Sequence, residues 1–370
     1  MKTVPFVVAA LVVASPFALR GQGADSARGT SFASISGSVT TSVTGSSNPS
    51  GNDIVGRLYG RRNGALAPNV VNLTIERVAA TGRLDGGFRV EGWAGDNARF
   101  VKSAGLDLGR HADLWQAYAT INLPLSGDGR YMQLKAGKMA TLMGIEVGED
   151  VLNQNLDVSW QDIYLEPFTE TGIEIDGKFT PHVDVELRVS NGWDQVKDVN
   201  SGKTFMARLG LTPDDRTLIA LTGFTGPEQA DNTGNLRTGA ELLFTRKVGS
   251  TTNVAGQFDM GSEKGAASGG GNATWAAAGV WVSHDLTSWA TLALRGDVMD
   301  DHDGARTSGV LGFPANAGQR VESLTATLNL KRWEHLLVRP ELRVDHSDLD
   351  VFGGHASQAS AALGISWIFP

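Results

Sequence analysis

Polar and apolar side chains alternate with a period of two along most of the chain. Ile173, Ile175, Gly177 and Phe179 are interleaved with Glu174, Asp176 and Lys178. Val183, Val185, Leu187 and Val189 stand against Asp184, Glu186 and Arg188. Leu324, Ala326, Leu328 and Leu330 stand against Thr325, Thr327, Asn329 and Lys331, and Val338, Pro340, Leu342 and Val344 against Arg339, Glu341, Arg343 and Asp345. Successive side chains of a strand point to opposite faces, so each segment has one oily and one polar face. A helix, with its period of 3.6, could not separate these residues. The segments predict about sixteen strands, near 33–43, 69–79, 84–94, 114–123, 131–141, 171–180, 183–193, 203–212, 216–225, 237–247, 251–262, 273–285, 288–299, 320–331, 335–346 and 357–369.

The connections carry a second regularity. Even-numbered connections are short: 80–83, 124–130, 181–182, 213–215, 249–250, 286–287 and 332–334. Odd ones are mostly longer and rich in Gly, Asn, Asp and Ser: 44–68, 95–113, 142–170, 194–202, 226–236, 263–272, 300–319 and 347–356. In an up-and-down barrel all odd loops lie at one rim and all even turns at the other, and outer-membrane barrels keep long loops outside and short turns in the periplasm. A Greek-key sandwich has no reason to keep that parity. The pattern therefore predicts an all-β fold: a transmembrane antiparallel up-and-down β-barrel with both termini periplasmic.

The ends agree. Lys2 precedes an uncharged apolar run, 4–19, closed by Arg20 and small residues, which reads as a secretory signal peptide over 1–23 with the barrel domain over 24–370. Pro5 and Pro16, and the shortness of the run, argue against a spanning helix, which needs roughly 20 residues. The last strand alternates Leu363, Ile365, Trp367 and Phe369 with Gly364, Ser366 and Ile368. It is similar to the terminal sorting signal of bacterial outer-membrane proteins, with Pro370 after the usual final Phe. Trp115, Trp275, Trp289, Trp333 and Trp367 lie near strand ends and are candidates for interfacial girdles.

In hydrocarbon an unpaired backbone group costs several kcal/mol, so the sheet must close. Sixteen strands leave room for water inside, and only a hydrated lumen holds charges of both signs cheaply. Candidate lumen residues are Lys135, Asp184, Glu186, Arg188, Arg208, Arg295, Arg339, Glu341 and Arg343, with Arg89, Glu91, Asp176, Lys178, Asp297 and Asp345 beside them. Composition adds three points. A net charge of −8 disfavours a nucleic-acid partner. The absence of Cys removes disulfides and thiolate metal sites. The 46 Gly exceed the usual share of about 7%, and several fall inside predicted strands, where a curved sheet tolerates them.

Several stretches resemble the β-barrel porin-2 (OmpL-like) family: Gly137 to Gly144 (GKMATLMG), Pro167 to Gly172, Ser190 to Asp194 (SNGWD), Gly226-Pro227-Glu228, Leu294 to Arg306, and Val338 to Ser347. Their order and spacing carry the resemblance over the last two-thirds of the mature chain. The resemblance implies an outer-membrane porin, a water-filled channel for small hydrophilic solutes and ions. Expected partners are the lipid bilayer and lipopolysaccharide, the barrel-assembly machinery during insertion, and the solutes themselves. The expected assembly is a monomer or homotrimer. No cofactor is expected.

The third long loop, 142–170, is the sharpest functional candidate. It holds Glu146, Glu149, Asp150, Asp157, Trp160, Asp162, Tyr164 and Glu166. In general porins the third external loop folds inward. The expectation here is an acidic, aromatic constriction opposite lumen arginines such as Arg188, Arg339 and Arg343, with a transverse field and a weak cation preference.

Other chemistry finds little support. Ser201-Gly202-Lys203-Thr204 resembles the end of a phosphate loop, but Lys197 occupies the position of its first Gly. Asp301, Asp303 and Gly304 lack the remaining EF-hand positions, leaving only a loose loop cation at Asp300, Asp301 and Asp303. No pair of His has metal-ligand spacing, and neither H-E-x-x-H nor G-x-S-x-G occurs. The alternative reading is a barrel enzyme, or an adhesin or structural protein without channel activity; a hydrolase would need a nucleophile and His on neighbouring outward positions, and no such Ser–His pair is found among them.

Overall fold

The structure, a computed structural model, describes residues 32–127 and 129–369. The expected signal peptide lies outside the described residues. Sixteen strands follow in chain order: β1 (Ser34–Ser46), β2 (Leu66–Arg77), β3 (Asp85–Ala94), β4 (Ala112–Pro124), β5 (Tyr131–Ala140), β6 (Thr169–Thr180), β7 (Val183–Trp193), β8 (Thr204–Asp214), β9 (Thr217–Pro227), β10 (Leu236–Val248), β11 (Thr252–Glu263), β12 (Ala273–Thr287), β13 (Ala290–Asp301), β14 (Gln319–Trp333), β15 (Leu336–Ser347) and β16 (Ser357–Phe369). Each pairs antiparallel with its sequence neighbours, and β1 pairs with β16 from Gly37 opposite Phe369 to Ser46 opposite Ser360. The sheet is a closed barrel with no free edge.

The two faces separate as the alternation requires. Leu187, Leu221, Leu242, Leu324 and Leu342 face outward and are exposed, while Arg188, Thr222, Glu241, Thr325 and Arg343 on the same strands are buried inside. The short turns and both barrel ends share one rim, and the long loops share the other. Strand boundaries move from the sequence reading by a few residues, most visibly at β2, which begins at Leu66.

The aromatic girdle needs a correction. Trp289, Trp333 and Trp367 are exposed at the turn rim, but Trp115 and Trp275 are buried inside the barrel. A register shift between Glu91 and Gly92 opposite Leu114 and Gln116 leaves Trp115 as an extra residue, and both it and Gln116 turn inward. Trp275 follows Thr274, which faces outward, and precedes three Ala, so no charged neighbour in the sequence marks which side it takes.

Candidate functional site

Residues 141–168, between β5 and β6, cross the barrel interior. Near its start stands Gly144, at φ 88°, where any side chain would be strained. A single helical turn, Trp160–Tyr164, is started by Ser159, whose Oγ accepts from the Asp162 N–H. Polar groups of the far wall hold each part of the loop. Glu241 on β10 accepts from the Gly144 N–H, and Gln257 on β11 accepts from the Ile145 N–H at 2.9 Å. Asp297 on β13 accepts from the Trp160 N–H at 2.8 Å, and Glu341 on β15 accepts from the Leu156 N–H at 2.6 Å. Asn155 Nδ2 donates to Thr327 Oγ1 at 2.8 Å.

The carboxylates singled out from sequence divide into two sets. Glu146, Asp150 and Asp157 meet arginines of the far wall: Arg295 with Glu146 at 2.7 Å, Arg339 with Asp150 at 3.0 Å, Arg343 with Asp157 at 3.1 Å. All six side chains are buried. The Arg343 guanidinium also lies 4.6 Å from the Trp160 ring centroid. Arg339 and Arg343 are therefore ion-paired fasteners of the loop, where the sequence reading had them facing it across a gap. Arg188 is elsewhere, bonded to Glu170 and Glu174. Lys135 joins Glu174 and Asp176 at 2.8 and 2.7 Å, and Arg208 joins Asp184 and Glu186 at 2.7 and 3.0 Å. These are cross-strand ladders of opposite charge.

The second set faces different surroundings. Glu149 meets Arg89 at 3.2 Å. Burial and the Glu91 carboxylate push it up to about 8, while Arg89 draws it back. Asp162 is buried, and that burial, with Glu146 nearby, raises it well above the carboxylate range. Glu166 accepts from Gln257 Nε2 at 2.6 Å. Tyr164 stacks on Trp160 and meets Phe313 of the seventh loop.

Sequence reasoning missed that the first loop, 47–65, also enters. Arg57 contacts Asp157 at 3.4 Å and Glu341 at 2.9 Å, and the Tyr59 N–H donates to Asp157 Oδ1 at 2.9 Å. Around this crossing an apolar cluster fills the loop-side mouth, drawing Leu58, Val101, Trp160, Phe313 and Phe352 from five different loops. Nothing in the local pattern of 54–59 distinguishes a loop that folds inward. Asp301 and Asp303 already accept backbone hydrogen bonds: Asp301 from the N–H groups of Ala305, Arg306 and Thr307 in its own loop, and Asp303 from that of Thr274 on β12.

Against the β2–β5 wall the loop leaves space. A cavity of ≈ 200 Å³ is lined there by Glu76, Arg89, Gln116, Tyr118, Lys135, Glu146 and Glu149, among others.

The sequence matches the family described as "Putative beta-barrel porin-2, OmpL-like" over residues 33–370. The chain belongs to this family. No curated protein is matched by sequence. Among solved structures the porin is similar to the outer-membrane channel DcaP of Acinetobacter baumannii, at 13% identity and TM-score 0.60, covering 91% of this chain and 97% of that one. It is similar to an anion-selective porin from Comamonas acidovorans, at 11% identity and TM-score 0.60, covering 91% and 99%. It is also similar to OmpT of Vibrio cholerae in its trimer form, at 9% identity and TM-score 0.59, covering 91% and 99%. At these identities the likeness is one of fold; the family match makes the protein an outer-membrane channel.

Proposed function

We propose that ions and small hydrophilic solutes cross this porin between the third loop and the β2–β5 wall, with Glu149 and Arg89 at the narrowest stretch. The observation that carries this reading is the asymmetry of the loop. It is bonded to the β10–β15 side along its length, and a cavity with charged groups in its lining remains on the other. Both signs of charge line that cavity, with Glu76, Glu146 and Glu149 facing Arg77, Arg89 and Lys135. Near-balanced charges give weak selectivity, and the chain's net charge of −8 tilts it toward cations. The long loops face outward from the cell, contacting lipopolysaccharide, and the short turns and both termini face the periplasm. Insertion uses the barrel-assembly machinery, and the assembly is a homotrimer.

Planar-bilayer recording in a potassium chloride gradient tests the pathway. The expected reversal potential gives a potassium-to-chloride permeability ratio modestly above one. R89A raises the ratio, and E149A lowers it at pH 9, where Glu149 is charged. A ratio untouched by both variants places the pathway elsewhere. Folded protein that inserts without conductance, and liposomes that do not swell in sugars or amino acids, would favour the enzyme or adhesin reading.

A further inference from the structure

Three carboxylates meet where the third loop returns to the wall: Glu166 on the loop, Glu241 on β10 and Asp259 on β11. One oxygen from each lies within 4.8 Å of the others, and all three residues are buried. Their surroundings differ from those of most other lumen carboxylates described above. Glu146, Asp150, Asp157, Glu174 and Glu341 each contact an Arg or Lys. Among the described residues Glu166, Glu241 and Asp259 form no ion pair. Arg208 lies two strands from Glu241, with Thr222 between them donating to Glu241; its guanidinium bonds Asp184 and Glu186 and acts on Glu241 only through space.

Neutral donors satisfy only part of the cluster. Glu241 accepts from the Gly144 N–H and Thr222, and Asp259 Oδ2 accepts from Gln161 and Gln257. Glu166 Oε2 and Asp259 Oδ1 are fully buried and have no partner. The Glu166 carboxylate lies against the bare Cα of Gly144, in space that any side chain would fill. Three buried carboxylates with two orphaned oxygens lack a positive charge.

We infer that Glu166, Glu241 and Asp259 bind one calcium ion, which ties the end of the third loop to β10 and β11. The donor set is all oxygen and rich in carboxylate, which selects a hard cation over zinc or copper. Calcium–oxygen distances of about 2.4 Å put ligands on opposite sides of the ion roughly 4.8 Å apart, whereas magnesium, at about 2.1 Å, needs a tighter shell. All three oxygens lie within 4.8 Å of one another, inside the span that a calcium ion bridges. Motif spacing could not reveal the site, because its residues lie on three separate elements.

The test uses full-length folded porin in detergent, stripped with EDTA and titrated with calcium chloride by calorimetry, with a parallel thermal melt. The expected result is one saturable calcium per chain, magnesium binding weaker, and Tm rising with calcium. E241Q and D259N, which keep shape and remove charge, weaken binding by about tenfold or more and abolish the calcium-dependent rise. D215N, in an exposed turn, leaves both unchanged. E241Q also raises Tm in EDTA, since it removes repulsion. If the wild type binds no calcium while E241Q still raises Tm, the carboxylates hold protons and the inference fails. It fails equally if E241Q and D259N bind calcium as tightly as wild type.

Discussion

Arg339 reaches Asp150 inside the barrel, donating from Nη2 to the carboxylate at 3.0 Å and from Nη1 to the carbonyl oxygen of the same residue at 2.7 Å. Strand β15 is thereby bonded to a loop nearly two hundred positions earlier in the chain. Removing one partner leaves a buried charge without compensation, which costs about 3–5 kcal/mol. R339A should lose that much stability in guanidinium unfolding followed by tryptophan fluorescence. R339M/D150L, with both charges gone, should recover most of it. A double variant no better than R339A would mean that the pair is not coupled.

The loop's position can be fixed chemically, because the chain has no Cys of its own. Asn155 and Thr327 are in side-chain contact at 2.8 Å. N155C/T327C joined by a short thiol crosslinker should conduct as the wild type does, since the link holds the loop where it already lies. A marked fall in conductance on crosslinking would show that the conducting state has the loop elsewhere.

Selectivity should depend on pH through Glu149. Its folded value of about 8 lies above the ordinary glutamate value of about 4.3. It is mostly neutral at pH 7 and charged at pH 9. The potassium-to-chloride permeability ratio should therefore rise across that interval and stay flat in E149Q. Stability runs the opposite way: the protonated form is favoured in the fold, so this contribution is full below the unfolded value and lost as pH rises through 8. A wild-type ratio constant from pH 6 to 9 would remove Glu149 from the pathway.

Asp194 gives a separate stability test outside the pathway. It sits at φ 54° and accepts from the Phe168 and Thr169 N–H groups at 3.0 and 2.8 Å. Burial pushes it up to about 7 despite those donors. Its folded value exceeds its unfolded one, so wild type loses stability as pH climbs from about 4 to 7. Asn accepts the same N–H groups, tolerates this backbone conformation and carries no charge. D194N should match wild type in Tm at pH 5 and exceed it at pH 8. D194A should be worse at both, having lost the acceptor. Equal behaviour of D194N at the two pH values would contradict the assignment.

The barrel was legible because membrane and lumen impose opposite solvents on alternate residues. Val183 to Val189 and Val338 to Asp345 state that contrast in their side chains, and the strands fall where the alternation puts them. The charged candidates Arg188, Arg208, Arg295, Arg339 and Arg343 all point inward for the same reason. The signal fades where inside and outside are both apolar. Trp275 stands in such a stretch, and Trp115 is turned inward by a bulge that no single-strand pattern encodes. The carboxylates of the third loop were identifiable as a group. Their division into three fastened to arginines, Glu149 and Asp162 at the cavity, and Glu166 joining Glu241 and Asp259 depends on contacts across the barrel that sequence order does not reveal. Arg57 was invisible for the same reason.

The apolar cluster in the barrel mouth has a consequence for assembly. Its members come from loops as far apart in sequence as Leu58 and Phe352. Phe352 belongs to the connection into β16, the strand that seals against β1. This small core therefore has no complete neighbourhood until the last strand has been made and delivered. Loop packing becomes a check on completion: a chain truncated before Phe352 leaves Phe313, which packs on Trp160, without its final ring partner. The emission of Trp160 then serves as a built-in clock for the moment the cylinder shuts.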